Sequence, residues 1–263
     1  MDDGMLAFLA ISAALFPISA AGYALWVGKL IADRDSQVSV TAQGPLFALQ
    51  NEAAARNSFF DAVLERALPE ISQLVILGAG FDTRCYRLPQ PSTLRCFELD
   101  EAATQQVKRA ALAEAHVDAS GVTFVSADFE REDWLDNLIA RGFDPQRKSL
   151  FVWEGVTMYL SREGIESTLR KIARCAPGSL LAFDHFTDTV LESSSAYMRY
   201  ARWTTRLAGE PLMFGFDSTP PVRDRVAEFL AASGLELKEH HAFGADRGDK
   251  RAWGGFALAE VRG

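Results

Sequence analysis

Five short apolar runs that alternate with helical segments constrain the fold of this chain more than any other feature. The runs lie at residues 73–80, 94–99, 122–128, 149–155 and 179–186. Helical patterns separate them, most clearly at 101–115, 134–141 and 162–175. Strands that alternate with helices imply a parallel sheet covered by helices on both faces, and nearly continuous apolar runs are typical of its buried strands.

The C-terminal part departs from this alternation. A helical pattern at 222–233 is followed by two strand patterns, 235–243 and 253–261, which a short loop connects. Strands joined in this way are expected to pair antiparallel. The sequence therefore predicts a doubly wound, Rossmann-like α/β fold with a mostly parallel seven-stranded sheet and a C-terminal antiparallel hairpin. Residues 187–221 are expected to form a helical cap on the substrate side.

The N-terminal segment allows two interpretations. Residues 5–28 contain no charged side chain and are long enough to cross a bilayer core as a helix. Lys29 and Arg34 follow, so an anchored chain would keep its remaining residues in the cytoplasm, at the inner face of the membrane. A soluble apolar cap over a pocket is the alternative. In either case residues 1–50 form an N-terminal helix and connector, and residues 51–263 form the main domain.

Charge and cysteine content exclude several classes of function. The 263 residues carry a formal net charge of −8 and no basic block, which argues against nucleic acid as a partner. The three cysteines form no CxxC pair, and no His, Cys or carboxylate cluster has the spacing of metal ligands. We therefore expect no metal and a small-molecule substrate.

A glycine turn follows the first predicted strand. Gly78 and Gly80 would let the backbone approach a ligand at the carboxyl edge of the sheet, where open α/β sheets bind ligands. Glu98 and Asp100 close the second strand, and a carboxylate there can accept hydrogen bonds from both ribose hydroxyls. Thr83 occupies the third glycine position of a dinucleotide motif, so the diphosphate cradle is incomplete. A cofactor without a diphosphate needs no such cradle.

Six blocks of sequence carry a family resemblance. In chain order they are AARNSFFDAVL (54–64), LVILGAGFDTRCYRL (74–88), FELDEAATQQVKR (97–109), SADFERE (126–132), WEGVTMYLSREGI (153–165) and GEPLMFGFD (209–217). Together they resemble the leucine carboxyl methyltransferase family of class I S-adenosylmethionine-dependent enzymes, which includes bacterial natural-product O-methyltransferases. The resemblance extends from about residue 40 to residue 260.

The resemblance implies roles at the methionine end of the cofactor. Arg56 would pair with the methionine carboxylate, for which a guanidinium is well suited. Gly78 and Gly80 would place the backbone against the methionine moiety, and Glu154 would lie beside its amino group. Asp82 is expected to shape the glycine loop through a contact with Arg84 or the helix terminus, and direct contact of Asp82 with the cofactor is the alternative.

At the nucleoside end, the resemblance implies that Glu98 or Asp100 holds the ribose, without distinguishing between them. Asp128 would bind the adenine amine, with the backbone of Phe129 nearby, and capping of the following turn is the alternative for Asp128. Lys108, on the helix after the second strand, is expected on the outer part of that helix.

The predicted activity is transfer of a methyl group to a carboxylate or hydroxyl of a small, lipophilic molecule. An ionised carboxylate needs no base, whereas a phenol or enol benefits from one. His185, at the end of the fifth predicted strand, is the candidate catalytic base. Two other classes stay open, a nicotinamide-dependent oxidoreductase on a similar sheet and a non-catalytic membrane-associated binding protein. The incomplete glycine motif argues against the first, and the intact set of site residues argues against the second.

Overall fold

The computed structural model describes residues 45–87, 93–207 and 209–263. The strands within these ranges are β1 (Gln73–Leu77), β2 (Arg95–Asp100), β3 (Val122–Ser126), β4 (Ser149–Trp153), β5 (Leu180–Phe186), β6 (Leu235–Phe243) and β7 (Gly254–Val261). The helices are α1 (Pro45–Ala67), α2 (Arg84–Arg87), α3 (Ala102–Glu114), α4 (Trp134–Ala140), α5 (Arg162–Ile172), α6 (Asp188–Glu192), α7 (Ala196–Leu207) and α8 (Val222–Ala232). A 3₁₀ turn covers Thr157–Tyr159.

The seven strands form one sheet in the order β3-β2-β1-β4-β5-β7-β6. Strands β1 to β5 are parallel, whereas β7 runs antiparallel to both β5 and β6. This arrangement confirms the predicted doubly wound sheet with its antiparallel hairpin. The strand order reverses between β1 and β4, which is where sheets of this kind open a crevice for a ligand.

The strands are buried because both faces of the sheet are covered. In β1, Val75 and Leu77 point to one face and Leu74 and Ile76 to the other, as the two-residue period of a strand requires. The first face packs against residues of α4, α5 and α8, among them Trp134, Ile165 and Val226. The second packs against α1, through Phe60, Val63 and Leu64. This packing fixes the strand ends that carry the candidate site.

Some predicted boundaries shift. Residue 51, where the main domain is predicted to begin, lies inside helix α1, which begins at Pro45, and proline is favoured at the first position of a helix. The strand predicted to extend to residue 128 ends at Ser126, because Asp128 forms the turn that follows.

The described residues fall into two compact units. One contains residues 52–87, 93–190 and 213–263, and it holds the whole sheet. The other contains residues 45–51, 191–207 and 209–212, and its helix α7 exposes Tyr200, Trp203 and Leu207. These three side chains follow helical spacing, so they lie along one stripe of α7.

The predicted N-terminal helix, residues 5–28, lies outside the described residues. Within the part of the chain that is described, no helix has the length and apolarity needed to cross a membrane.

Candidate functional site

The turn after β1 contains two glycines with positive φ. Gly78 has a φ of +64° and Gly80 a φ of +40°, values that residues with a side chain rarely adopt. A Cβ at Gly78 would clash with the side chain of Val156, whereas one at Gly80 would have no heavy atom within 4 Å. The turn is therefore tightly packed on one side and open at Gly80.

Asp100, the last residue of β2, holds the backbone of this turn. Its Oδ2 accepts a hydrogen bond from the Gly80 amide at 2.6 Å, and its Oδ1 accepts one from the Glu101 amide at 2.7 Å. The Ala79 amide also donates to the carbonyl of Leu99, at 2.9 Å. Burial raises the pKa of Asp100, and its backbone hydrogen bonds oppose that rise. The glycine turn is thus tied to the end of β2 at two points.

Glu98 lies deeper on the same face of β2 and is completely buried. Its carboxylate is 2.6 Å from the ammonium of Lys108, in an ion pair that is not an aligned hydrogen bond. The Lys108 ammonium also lies 5.6 Å from the centroid of the Tyr86 ring. Burial raises the pKa of Glu98, and the attraction of Lys108 opposes the rise.

The prediction that Lys108 lies on the outer part of its helix is wrong, since the residue is only 3% exposed. Gln105 and Lys108 are three residues apart and form the buried side of α3. Gln105 donates hydrogen bonds to the carbonyls of Glu98 and Val125, at 3.2 and 2.8 Å. This polar anchoring turns Lys108 towards β2, where Glu98 is its partner.

Arg84, the first residue of α2, links the glycine turn to β4. Its Nε is 2.8 Å from Asp61 Oδ1, its Nη1 is 2.7 Å from Glu154 Oε2, and it also contacts Asp82. The Arg84 amide donates to Asp82 Oδ1 at 2.7 Å. Burial disfavours the charged form of Arg84, but the three carboxylates outweigh this effect and raise its pKa. The predicted contact between Asp82 and Arg84 is present, and it extends further than predicted, to Glu154.

Arg56, on α1, also contacts Glu154. Its Nε is 2.9 Å from Glu154 Oε1, and its Nη1 is 3.1 Å from Asp184 Oδ2. Asp184, on β5, also accepts a hydrogen bond from the Gly155 amide at 2.7 Å. The Arg56 side chain is 35% exposed, whereas that of Arg84 is 4% exposed. Arg56 is therefore accessible to a ligand, whereas Arg84 is not.

We refer to these charged groups together as the arginine–carboxylate cluster. It comprises four carboxylates and three guanidiniums, namely Asp61, Asp82, Glu154, Asp184, Arg56, Arg84 and Arg87. Burial raises the pKa of Glu154 and of Asp184, while the attraction of nearby arginines opposes the rise. When all groups are ionised the cluster carries excess negative charge, which favours a cationic ligand.

The predicted adenine ligand, Asp128, follows β3. Its Oδ1 accepts hydrogen bonds from the amides of Glu130 and Arg131, at 2.8 and 3.2 Å, so the side chain also caps the turn. The Ala127 amide donates to the carbonyl of Asp100 at 3.0 Å, which places this turn beside the end of β2. The side chain of Phe129 is buried, and its ring centroid lies 6.2 Å from that of Trp134.

The candidate base His185 neighbours Asp184 on β5 and so points to the opposite face of the sheet. It is 1% exposed, and its Nε2 lies 3.1 Å from His240 Nε2. Burial lowers the pKa of His185 to about 3 and that of His240 to about 4, so both rings are neutral at pH 7. The structure does not bring His185 to the arginine–carboxylate cluster, and its role as a base stays a prediction.

Among the predicted residues, direct contacts join Arg56 to Glu154 and Gly80 to Asp100, and Arg84 joins Asp82 to Glu154. Gly78 lies in the same turn as Gly80. Asp184 was missed by sequence reasoning, although one signal was available, a carboxylate inside an otherwise apolar strand. Such a group is costly to bury without a partner. Among the residues that the structure describes, no group of three His, Cys, Asp or Glu side chains could hold a metal ion.

Comparison with known proteins gives a family match and similar sequences. Residues 14–173 match the family model described as leucine carboxyl methyltransferase. A Bacillus subtilis protein, provisionally named an S-adenosyl-L-methionine-dependent methyltransferase, is 33% identical over 192 residues, which cover 71% of this chain and 61% of that protein. A Mycolicibacterium vanbaalenii protein with the same provisional name is 38% identical over 183 residues, which cover 69% of this chain and 59% of that protein. The chain thus spans about three-fifths of the length of these relatives.

A solved structure supports the fold assignment. Magnesium protoporphyrin IX methyltransferase from Synechocystis, with S-adenosylhomocysteine bound, superposes with a TM-score of 0.50 at 12% identity, covering 93% of this chain and 95% of that one. At this identity the likeness concerns the fold alone, which is the class I methyltransferase sheet.

Proposed function

This chain belongs to the leucine carboxyl methyltransferase family, and from that premise we propose that it binds S-adenosyl-L-methionine and transfers its methyl group to an oxygen of a small molecule. One observation carries the proposal. The open glycine turn, Asp100 and the exposed end of the arginine–carboxylate cluster meet at the carboxyl ends of neighbouring strands.

The chemistry of these groups fits the methionine end of the cofactor. Arg56 offers a guanidinium for the carboxylate, and Glu154 offers an acceptor for the ammonium group. The excess negative charge of the cluster suits the positive sulfonium. A side chain at Gly80 would fill the space that is open there, so the glycine keeps that space available for a ligand.

At the nucleoside end, the structure supports Asp100 as the ribose ligand in preference to Glu98. Asp100 lies at the carboxyl end of β2 and is only partly buried, whereas Glu98 is buried and paired with Lys108. The position of Asp128 supports its proposed contact with adenine, because its turn lies beside Asp100 and its side chain is 36% exposed.

When bound, the cofactor supplies a methyl group on a sulfonium, which is a good leaving group. The residues of this chain then have three tasks, which are to fix both ends of the cofactor, to align the acceptor oxygen and to keep water away. Arg56 and Glu154 perform the first task at the methionine end. The arginine–carboxylate cluster stabilises the positive charge until transfer has occurred.

We favour a carboxylate as the acceptor over a hydroxyl. A carboxylate is ionised at neutral pH and needs no base, and the candidate base His185 is 1% exposed. The proposal that the acceptor is lipophilic rests on the apolar sequence of residues 5–28.

The membrane role of residues 5–28 stays a proposal that rests on their sequence. An anchored protein would sediment with membranes and resist extraction by high salt. Recovery in the supernatant after cell lysis would contradict anchoring and favour the soluble cap.

Calorimetry tests the choice of cofactor. The full chain is expected to bind S-adenosylmethionine and S-adenosylhomocysteine, and to give no more heat with NAD than buffer does. Micromolar binding of NAD, without a response to either sulfur compound, would refute the proposal in favour of an oxidoreductase.

Mass spectrometry tests turnover. The protein is incubated with cell extract and cofactor carrying a deuterated methyl group, and the mass of each labelled product identifies the acceptor class. Base-labile labelled esters would support a carboxylate acceptor, whereas base-stable ethers would support a hydroxyl. Cofactor binding without any labelled product would favour the non-catalytic alternative.

A further inference from the structure

Asp184 belongs to the arginine–carboxylate cluster, but the sequence motifs do not include it and the proposed mechanism gives it no role of its own. Its side chain is 4% exposed and lies in a strand that is otherwise mostly apolar. A buried carboxylate without partners would be strongly destabilising. Asp184 has two partners, and both belong to the site, since Oδ1 accepts from the Gly155 amide at 2.7 Å and Oδ2 pairs with Arg56 Nη1 at 3.1 Å.

These contacts make one carboxylate a bridge between two elements. Gly155 directly follows Glu154 and has a φ of +73°, so the bond from its amide fixes the turn that presents Glu154. The other contact holds Arg56, whose side chain is 35% exposed, at its Nη1. Asp184 thus fixes the two groups proposed for the methionine end of the cofactor.

The geometry at Arg56 leaves room for a ligand. Its Nε contacts Glu154, and its Nη1 contacts Asp184. Among the residues that the structure describes, no acceptor pairs with its Nη2. A guanidinium held at two nitrogens loses little further freedom when a third acceptor binds, which improves affinity by reducing the entropy lost.

We propose that Asp184 is a positioning residue that orients Arg56 for the carboxylate of the cofactor's methionine moiety. The inference rests on the proposed function, because it presupposes that this moiety binds at Arg56. Asp184 acts through Arg56, so it is expected to affect only ligands that carry the carboxylate.

Asp184→Asn is the variant that isolates this role. Asparagine has the same shape, and its oxygen can still accept from the Gly155 amide, but its amide nitrogen would face another donor at Arg56. Asp249→Asn, at an exposed loop position, is the matched control. Arg56→Ala and the Asp184→Asn/Arg56→Ala double variant complete a double-mutant cycle.

Each protein is titrated by calorimetry with S-adenosylhomocysteine and with 5′-methylthioadenosine, which lacks the amino-acid group. Asp184→Asn is expected to weaken S-adenosylhomocysteine binding about tenfold and to change 5′-methylthioadenosine binding less than twofold. The double variant is expected to bind S-adenosylhomocysteine no more weakly than Arg56→Ala, because Asp184 then has no arginine to orient.

Equal weakening of both ligands would mean that Asp184 has only a structural role and would overturn the inference. Unchanged binding of S-adenosylhomocysteine by Asp184→Asn, or a full additional tenfold loss in the double variant, would do the same. Failure of the wild type to bind S-adenosylhomocysteine would instead refute the proposed function, and this inference with it.

Arg56→Lys provides a second test if Asp184→Asn does not fold. Lysine keeps the positive charge, but its single nitrogen cannot reproduce the separate contacts of Nε and Nη1. If the contacts of Nε with Glu154 and of Nη1 with Asp184 are both needed, Arg56→Lys is expected to bind S-adenosylhomocysteine nearly as weakly as Arg56→Ala. Affinity equal to that of the wild type would contradict the inference.

Discussion

Replacing Lys108 with methionine tests the buried ion pair beneath the ribose site. Methionine keeps much of the length of the side chain and removes its charge. Because the side chains of Glu98 and Lys108 are only 1% and 4% exposed, the remaining carboxylate would be left buried without its ion-pair partner. Removing one partner of a buried pair typically costs about 3–5 kcal/mol. In a domain of this size about 1 kcal/mol shifts Tm by roughly 2–4 °C, so we expect Tm to fall by about 6–20 °C.

The pH dependence separates the loss of charge from the loss of packing. Burial already raises the pKa of Glu98 in the folded protein, and loss of Lys108 is expected to raise it further. A carboxyl with a raised folded-state pKa contributes stability below its unfolded pKa of about 4.3, and that contribution is lost as the pH rises through the folded pKa. The cost of Lys108→Met is therefore expected to be smaller at pH 5 than at pH 8.

The assay is urea unfolding followed by circular dichroism at the two pH values, with Tm measured in parallel. Lys250→Met, at an exposed position, is the control and is expected to change stability by less than about 0.5 kcal/mol. The Glu98→Gln/Lys108→Met double variant is expected to recover part of the loss, because no unpaired charge remains. A cost for Lys108→Met equal to that of the control, or one that does not vary with pH, would refute this reasoning.

Three further predictions concern the ligand site, metal dependence and His185. Arg56→Ala and Glu154→Ala are each expected to weaken binding of S-adenosylhomocysteine at least about tenfold by calorimetry, while Arg170→Ala, at a 59% exposed side chain, is expected to change it little. Turnover is expected to survive EDTA, and a loss that magnesium restores would show that a metal takes part. Burial lowers the pKa of His185 to about 3 from an unfolded value near 6.5, so the contribution of His185 to stability is expected to decrease as the pH falls from 6.5 to 4. In urea unfolding, the wild type is therefore expected to lose stability relative to His185→Leu over that range, and a constant difference between the two proteins would contradict this.

The sheet could be predicted because its information is local and redundant. Each parallel strand appears as a separate apolar run, and the short loop between β6 and β7 requires antiparallel pairing. The position of β7 could not be predicted in the same way. It lies between β5 and β6, and loop length does not specify which strand of a hairpin faces the rest of the sheet.

The site could be predicted only in part, for a physical reason. Gly78 and Asp100 are recognisable because they end strands, where ligands of such sheets bind. The partner of Asp184, Arg56, lies 128 residues away in the sequence, and the partner of Lys108, Glu98, lies on a different element, β2. Pairing of this kind is decided by the packing of α1 and α3 on the sheet, which residue spacing along one element does not reveal.

The position of β7 also affects the order in which the protein can assemble during synthesis. Strand β6 leaves the ribosome before β7, yet its neighbour in the sheet is β7, which in turn pairs with β5. Until residues 254–261 have emerged, β5 presents an unpaired edge and β6 has no strand to join. Unpaired edges invite association with other chains. A nascent chain stalled before Gly254 would therefore be open to association along β5, and translation of β7 closes that edge.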